Sequence, residues 1–386
     1  MVAASLDARI KAIRNAGLYR SRPVPEKRDG KWIELDGIRM LNLASNDYLG
    51  LATDAEWQKK VAACFALHPP SASASPLAGG HSRAIQQAEE ALAEYFGYAE
   101  CLLLPSGYQA NLAVLWGLST DQTTVFYDKR IHASSAAGLR GTPASPCGFN
   151  HNNIAHLRRR LDAMPASDLA GRDALVLVES LYSMDGDSPD FAALSALKAE
   201  YNFTLAADEA HAFGVLGKGG RGLAAGHADV AVGTLGKALG LFGAFILLPK
   251  GWTEYLCNLA SPLIYSTALP DAHAACVAML PEQLAAMDEQ RERVAATGKL
   301  MREELRLYGL PVHGSAHILA VEIGDEEKAT AAAAALKNRG IFALAARHPT
   351  VPKRRAVIRF GITALHTARD AEVCVRALTT ILRGMS

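Results

Sequence analysis

Read for hydrophobic period alone, the chain alternates between two patterns. QQAEEALAEYFG (86–97) and YQANLAVLWGL (108–118) repeat apolar residues at helical spacing, as do NNIAHLRRRLDAM (152–164) and DFAALSALKAEYN (190–202). Between them lie short apolar runs that end in polar residues: AECLLLPSG, TTVFYD, DALVLVES, TLAADEA and AVGTLGK. Continuous apolar runs of this length predict buried strands, and strands alternating with helices predict a mostly parallel sheet covered on both faces. The first forty residues predict an amphipathic helix, a Pro-containing connector (SRPVPEKRDG) and a hairpin (KWIELDGIRML). Beyond residue 270 the pattern changes. A long helical stretch, DAHAACVAMLPEQLAAMDEQRERVAATGKLMREELRLYG, is followed by HILAVEIGD, an alanine-rich helix, IFALAARHPTVP, AVIRFGIT and a last helix, TARDAEVCVRALTTILRG. The predicted organisation is an α/β fold. An N-terminal helix and hairpin span 1–45, a large domain spans 46–270, and a smaller α+β domain spans 271–386.

In a sheet of this kind ligands gather at the carboxyl ends of the strands, so the polar residues there carry the candidate chemistry. Taken singly, each has an ordinary reading. Ser106, Gly107 and Tyr108 form a turn into a helix. His132 follows a strand as a solvent-facing imidazole would, and Ser183 sits in a loop that supplies helix caps. Asp208 could cap the segment that contains His211. Lys237, three residues after Thr234, could be a solvated charge. Together they have a more economical reading. A helix start suits a phosphate. An ammonium among Gly236, Ala238 and apolar flanks is costly unless it becomes covalent. An aromatic heterocycle with a phosphate, a protonatable ring nitrogen and an aldehyde would use all of these groups, and that cofactor is pyridoxal 5'-phosphate. Glu209, next to Asp208, is expected to point away from it on an extended chain. GKGGRG (217–222) lacks the G-x-G-x-x-G spacing and does not open a βα unit, so it predicts a turn and not a dinucleotide loop.

Charge and cysteine content remove other classes. Lys and Arg number 40 against 39 acids, a net charge of +1 that leaves no basic footprint for nucleic acid or an anionic membrane. The six cysteines form no CxxC or CxxH pair, so neither a disulfide framework nor a metal site is expected. The N-terminus has no continuous apolar stretch of the secretory kind, and no run is long enough to span a membrane, so a cytoplasmic protein is expected.

The strings LNLASNDYLGLA, HASSAAG, FNHNN, SMDGD, DEAHAFGVLGKGGRG, GTLGKALG and PTVPKRRAVIRFGITALHT resemble those of the α-oxoamine synthases, over nearly the whole length. The resemblance implies fold type I of the pyridoxal-phosphate transferases and a homodimer with shared sites. Lys237 is then similar to the imine-forming lysine, Asp208 to the partner of the ring nitrogen, and His132 to the ring-stacking histidine. His211 and Ser183 match the groups that bond the ring's phenolic oxygen. Ser106, Gly107, Tyr108 and Thr234 match the surroundings of the phosphate and ring. Arg359 matches the arginine for the amino acid's carboxylate, with Thr350 and Asn46 near the substrate. Arg20, or Arg22 in another alignment, matches an arginine near the acyl group. The implied reaction is condensation of an amino acid with an acyl-CoA or acyl-carrier-protein thioester, with loss of CO2 and thiol. AARHPTVP resembles the branch that uses L-alanine and a pimeloyl thioester in biotin synthesis. Relatives using glycine or serine, a plain aminotransferase and a non-catalytic binder are the alternatives.

The family's G-[ST]-G-[AS]-S-R-L-x-x-G segment reads ASPLAGGHSRAIQQAEE in this chain. Ala74 and Pro76 replace glycines, Leu77 replaces the arginine, and Ile85 stands for a later histidine. In the family this region lies near the substrate entrance and the dimer interface.

Overall fold

The computed structural model describes residues 2–164 and 173–385. The described chain falls into two compact units, one of residues 46–183 and 187–294 and the other of residues 1–45, 184–186 and 295–386.

The larger unit is built on a seven-stranded sheet. Its strands are β4 (Glu100–Leu104), β5 (Thr124–Asp128), β6 (Ser145–Phe149), β7 (Ala174–Glu179), β8 (Thr204–Asp208), β9 (Val230–Thr234) and β10 (Ala244–Leu248), in the spatial order β4-β10-β9-β8-β7-β5-β6. Strand β10 runs antiparallel to both neighbours, and the β9-β8-β7-β5-β6 block is parallel throughout. The expected strands form where the apolar runs lie because both faces of the sheet are covered. Along β7, Leu175 and Leu177 join one core with Leu104, Val114, Leu115 and Ile246. Val176 and Val178 join the opposite core with Phe126, Leu157, Leu194 and Leu205. A strand that must be apolar on both faces cannot alternate.

Parallel register lines up the polar ends. Glu179 lies opposite Asp208, and Asp208 opposite Val232. Helix Gly107–Gly117 starts directly after β4, with Ser106 as its cap: the Gln109 backbone N–H donates to Ser106 Oγ at 3.3 Å.

The smaller unit has two four-stranded sheets. In one, β1 (Lys27–Asp29), β2 (Trp32–Leu35) and β3 (Ile38–Asn42) form the expected hairpin structure, and β3 takes β13 (Ile341–Phe342) as a parallel neighbour, Ile341 opposite Leu41. The other has the order β11 (Val312–His313), β12 (Ile318–Gly324), β15 (Ala356–Gly361), β14 (Leu344–Ala346). Its core gathers Leu41, Leu43, Leu319, Phe360 and Val375. The last helix, Ala368–Arg383, opens with a capping box between Thr367 and Asp370. The long helical stretch after residue 270 is not one helix. It divides into Asp271–Ala278, Leu280–Ala285 and Asp288–Leu307, with Pro281 in the first turn of the second piece. Proline has no N–H to continue the preceding helix, whereas a first-turn position tolerates it. Among the described residues no helix is long and apolar enough to cross a membrane.

Candidate active site

At the carboxyl ends of β7, β8 and β9 the larger unit has a cavity of about 210 Å³. Gly107, Tyr108, His132, Asp208, His211, Thr234 and Lys237 all line it, joined by Asn111, Ser134 and Glu179. Residues spread over more than a hundred positions meet because the parallel strands end at one level and each passes into a loop. Ser106 caps the helix whose first residues, Gly107 and Tyr108, form part of the wall. The opening N–H groups of any helix lack partners within it, and its dipole favours an anion there.

Asp208 is 7% exposed. Its Oδ2 accepts from Asn111 Nδ2 at 2.8 Å, and its Oδ1 from the Ala210 backbone N–H at 3.0 Å. The second Nδ2 hydrogen of Asn111 reaches Ser134 Oγ at 3.0 Å, and Ser134 in turn meets His132 Nδ1 at 2.7 Å. A single buried amide thus fixes both Asp208 and the serine that orients His132. Burial, with a contribution from the Lys237 charge, lowers the His132 pKa below its ordinary value, against the pull of Asp208. On the other side, Lys237 Nζ lies 2.8 Å from His211 Nε2, and His211 Nδ1 lies 2.7 Å from the Tyr48 hydroxyl. Thr234 Oγ1 accepts from the Gly236 backbone N–H, which shapes the turn into Lys237.

Four residues of this network were not singled out from the sequence, and one of them, Ser134, lay inside the HASSAAG string. Asn111 sits two residues after Gln109 in a mostly apolar helix, and a lone amide among ANLAVLW was the available signal. Tyr48 lay inside the SNDYLG string already connected with substrate. Glu179 ends β7 at 3% exposure, and its Oε1 is buried with no hydrogen-bond partner among the described residues. Its pKa is pushed well up, first by burial and then by the Asp208 charge, with Lys237 opposing. Ser183 is not among the cavity-lining residues. Asn46 reaches the site through Tyr48: its Oδ1 lies 3.0 Å from the Tyr48 hydroxyl. Arg20, Thr350 and Arg359 belong to the smaller unit. Arg20 donates to Thr350 Oγ1 at 3.3 Å, and Arg359 is 2% exposed on β15.

Glu209 takes no part in the cavity. Its carboxylate accepts from Ser180 Oγ at 2.6 Å and from the backbone N–H groups of Leu223 and Ala224. It staples the GKGGRG segment, where Gly222 adopts a φ of +87° and a Cβ would sit 2.6 Å from that carboxylate. The glycine-rich string is therefore a turn packed on a buried acid.

Over residues 38–378 the chain matches the aminotransferase class I and II family. It is 33% identical over 387 residues to a candidate 8-amino-7-oxononanoate synthase of Bacillus cereus, covering 98% of this chain and 97% of that protein. The chain belongs to the α-oxoamine synthase family, within the fold type I pyridoxal-phosphate transferases. Among solved structures, serine palmitoyltransferase from S. paucimobilis superposes with a TM-score of 0.91 at 24% identity, over 98% of this chain and 97% of that one. The 8-amino-7-oxononanoate synthase from Francisella tularensis superposes with a TM-score of 0.76 at 24% identity, over 90% and 98%. Both are similar in fold. The strand ends around the cavity hold one lysine, two carboxylates, two imidazoles and a helix N-terminus.

Proposed function

We propose that this enzyme condenses a small amino acid, L-alanine first, with a pimeloyl-type thioester of CoA or acyl carrier protein. The products are an α-amino ketone, CO2 and free thiol. The observation that carries the proposal is the pairing, in one cavity, of Lys237 Nζ beside His211 Nε2 with a buried Asp208 carboxylate. The 33% identity to a candidate 8-amino-7-oxononanoate synthase supports the choice of substrate.

The residues fit pyridoxal 5'-phosphate on the chemistry of the donors. The helix start at Ser106, Gly107 and Tyr108, with Thr234, would hold the phosphate. Asp208 would hold the protonated ring nitrogen and His132 would pack on the ring face. His211 and Ser183 would reach the phenolic oxygen, and Lys237 would supply the amine for the aldehyde. When bound, the cofactor supplies an electron sink that stabilises negative charge on the amino acid's Cα. Asp208 keeps that sink charged, and Asn111 keeps Asp208 in place. Lys237 Nζ, as a free amine, takes the Cα proton. Arg359 is assigned the amino acid's carboxylate, with Asn46 and Thr350 nearby, and Arg20 the acyl group. We assign no metal. The working form is a homodimer with shared sites in the cytoplasm.

A second substrate pair is favoured by one observation: Leu77 and Ile85 stand where the family pattern that the sequence resembles implies an arginine and a histidine. A thiol-release assay over alanine, glycine and serine against several acyl thioesters separates the two readings. Alanine with pimeloyl thioester is expected to give the highest kcat/KM. Thiol release from no pair would sink the synthase assignment, and transfer of an amino group to a keto acid would favour an aminotransferase. Purified protein is expected to absorb in the visible with the cofactor, and Lys237→Ala to lose that band.

A further inference from the structure

Asn46, Tyr48, His211 and Lys237 form one row of polar contacts within the larger unit. The Tyr48 hydroxyl lies 3.0 Å from Asn46 Oδ1 and 2.7 Å from His211 Nδ1, and His211 Nε2 lies 2.8 Å from Lys237 Nζ. Tyr48 is 0% exposed and His211 8%. The two rings are tilted at 51° with centroids 6.0 Å apart, so their contact is the hydrogen bond and not stacking.

Counting protons gives the row a direction. A phenol has one hydrogen, and a carbonyl oxygen only accepts. Tyr48 therefore donates to Asn46 Oδ1, and its oxygen must accept from His211 Nδ1–H. An imidazole with its hydrogen on Nδ1 has a lone pair on Nε2. That lone pair faces a lysine nitrogen, which donates. The reverse assignment fails at both ends. With Nδ1 unprotonated, the Tyr48 hydrogen would be drawn away from Asn46 Oδ1, and Nε2–H would meet an ammonium.

We propose that Tyr48 is a positioning residue that fixes His211 as the Nδ1–H tautomer in the cofactor-free enzyme, so that Nε2 is an acceptor aimed at Lys237. The consequence is a place for a proton. Lys237 must lose one before its nitrogen can attack an aldehyde. An N–H bond at Nζ breaks, the Nε2–H bond forms, and His211 becomes an imidazolium whose Nδ1–H is still held by Tyr48. Charge and atoms balance without any other group. The tautomer stands on the contacts of this chain. Its use in catalysis rests on the cofactor reading given above.

The test is long-range proton–nitrogen NMR of the full chain labelled with ring-¹⁵N histidine, without added cofactor, at about pH 8, where a free imidazole is neutral. Loss of a signal in His211→Gln assigns it. The wild type is expected to show His211 protonated at Nδ1, and Tyr48→Phe to move it toward Nε2 protonation. Nε2 protonation in the wild type, or an unchanged tautomer in a folded Tyr48→Phe, overturns the proposal. If that variant does not fold, the wild-type spectrum alone decides. A second arm follows growth of the visible band on adding pyridoxal 5'-phosphate. Tyr48→Phe is expected to form it about tenfold more slowly near neutral pH, the effect of one lost hydrogen bond to a functional group. An equal rate in the two proteins counts against the proposal. A wild type that forms no band removes the cofactor reading instead, and leaves the tautomer to the spectrum.

Discussion

Two adjacent acids, Asp208 and Glu209, have opposite uses. Asp208 faces the cavity and is held by Asn111, while Glu209 is sealed into the protein and holds a loop. Asp208→Asn keeps the shape and the Asn111 contact but not the charge. If Asp208 serves the ring nitrogen, kcat/KM is expected to fall about 100-fold or more, with little change in melting temperature; near-wild-type turnover would remove Asp208 from that role. Glu209 makes a different prediction. Burial raises its pKa to about 7, against the hydrogen bonds from Ser180, Ala224 and Leu223 and with some help from Asp208. The folded pKa lies above the unfolded value near 4.5. The stabilising effect is therefore complete below pH 4.5 and is lost as pH rises through 7, on the order of 3 kcal/mol in all. Urea midpoints measured from pH 4.5 to 8 are expected to fall less steeply in Glu209→Gln than in the wild type; equal slopes would reject the assignment. The alternation of side chains on an extended chain was enough to separate the two acids in the sequence. Asn111, Ser134, Tyr48 and Glu179 were not legible, because each looks like helix, motif or strand filler until the fold brings it to the site.

At the scale of elements, the cavity depends on two loops, the turn after β5 that ends in His132 and the turn after β7 that carries Ser183. His151 ties them together. Its Nδ1 lies 3.0 Å from Asp128 Oδ1, and its Nε2 lies 2.9 Å from Asp187 Oδ2. Asp128 accepts from the Arg130 backbone N–H in the first turn, and the Asp187 carbonyl accepts from the Tyr182 backbone N–H in the second. Burial alone would lower the His151 pKa, but hydrogen bonds and charge from Asp128 and Asp187 outweigh it and raise it to about 9. A folded pKa above the unfolded 6.5 means the tie is fully present below pH 6.5 and is lost as pH rises through 9. His151→Gln is expected to cost on the order of 1–2 kcal/mol at pH 7 once solvent screening is allowed for, and to remove the wild type's loss of stability between pH 7 and 10. Thermal melts across that range check both; a variant with the wild-type pH profile would deny His151 the role. The strands that carry these loops were legible because two-sided burial leaves an unbroken apolar run. The loops were legible only as polar ends. The length of the helix after residue 270 was misjudged because its apolar period continues through Pro281, while the backbone N–H ladder cannot.

At the scale of the whole molecule, the smaller unit is assembled from the two ends of the chain. Strand β3 pairs with β13, Lys31 pairs with Asp370 at 2.5 Å, and Leu41 and Leu43 enter the core built around Leu319, Phe360 and Val375. Local pattern names each strand but cannot say that residues near 41 and 341 are neighbours, so a linear reading set 1–45 apart. The pairing predicts unequal effects of truncation. Helix Val2–Asn15 is solvent-exposed along its described face, with Leu6 at 49%, Ile10 at 44% and Ile13 at 40%. Removing residues 1–15 is expected to leave the melting temperature of the chain within a few degrees. Removing 1–45 takes away Ile33, Leu35, Met40, Leu41 and Leu43, all at most 6% exposed. At about 2 kcal/mol for each buried side chain, the loss is on the order of 10 kcal/mol, comparable with the whole stability of a typical domain. It also strips β13 of its only sheet neighbour among the described residues. The longer truncation is expected to give aggregated protein, or a chain whose 295–386 segment exchanges its amide hydrogens freely while the seven-stranded sheet stays protected. Hydrogen exchange read by mass spectrometry distinguishes the two units directly. Full protection of β12 and β15 after removal of 1–45 would show that the C-terminal segment forms its core alone.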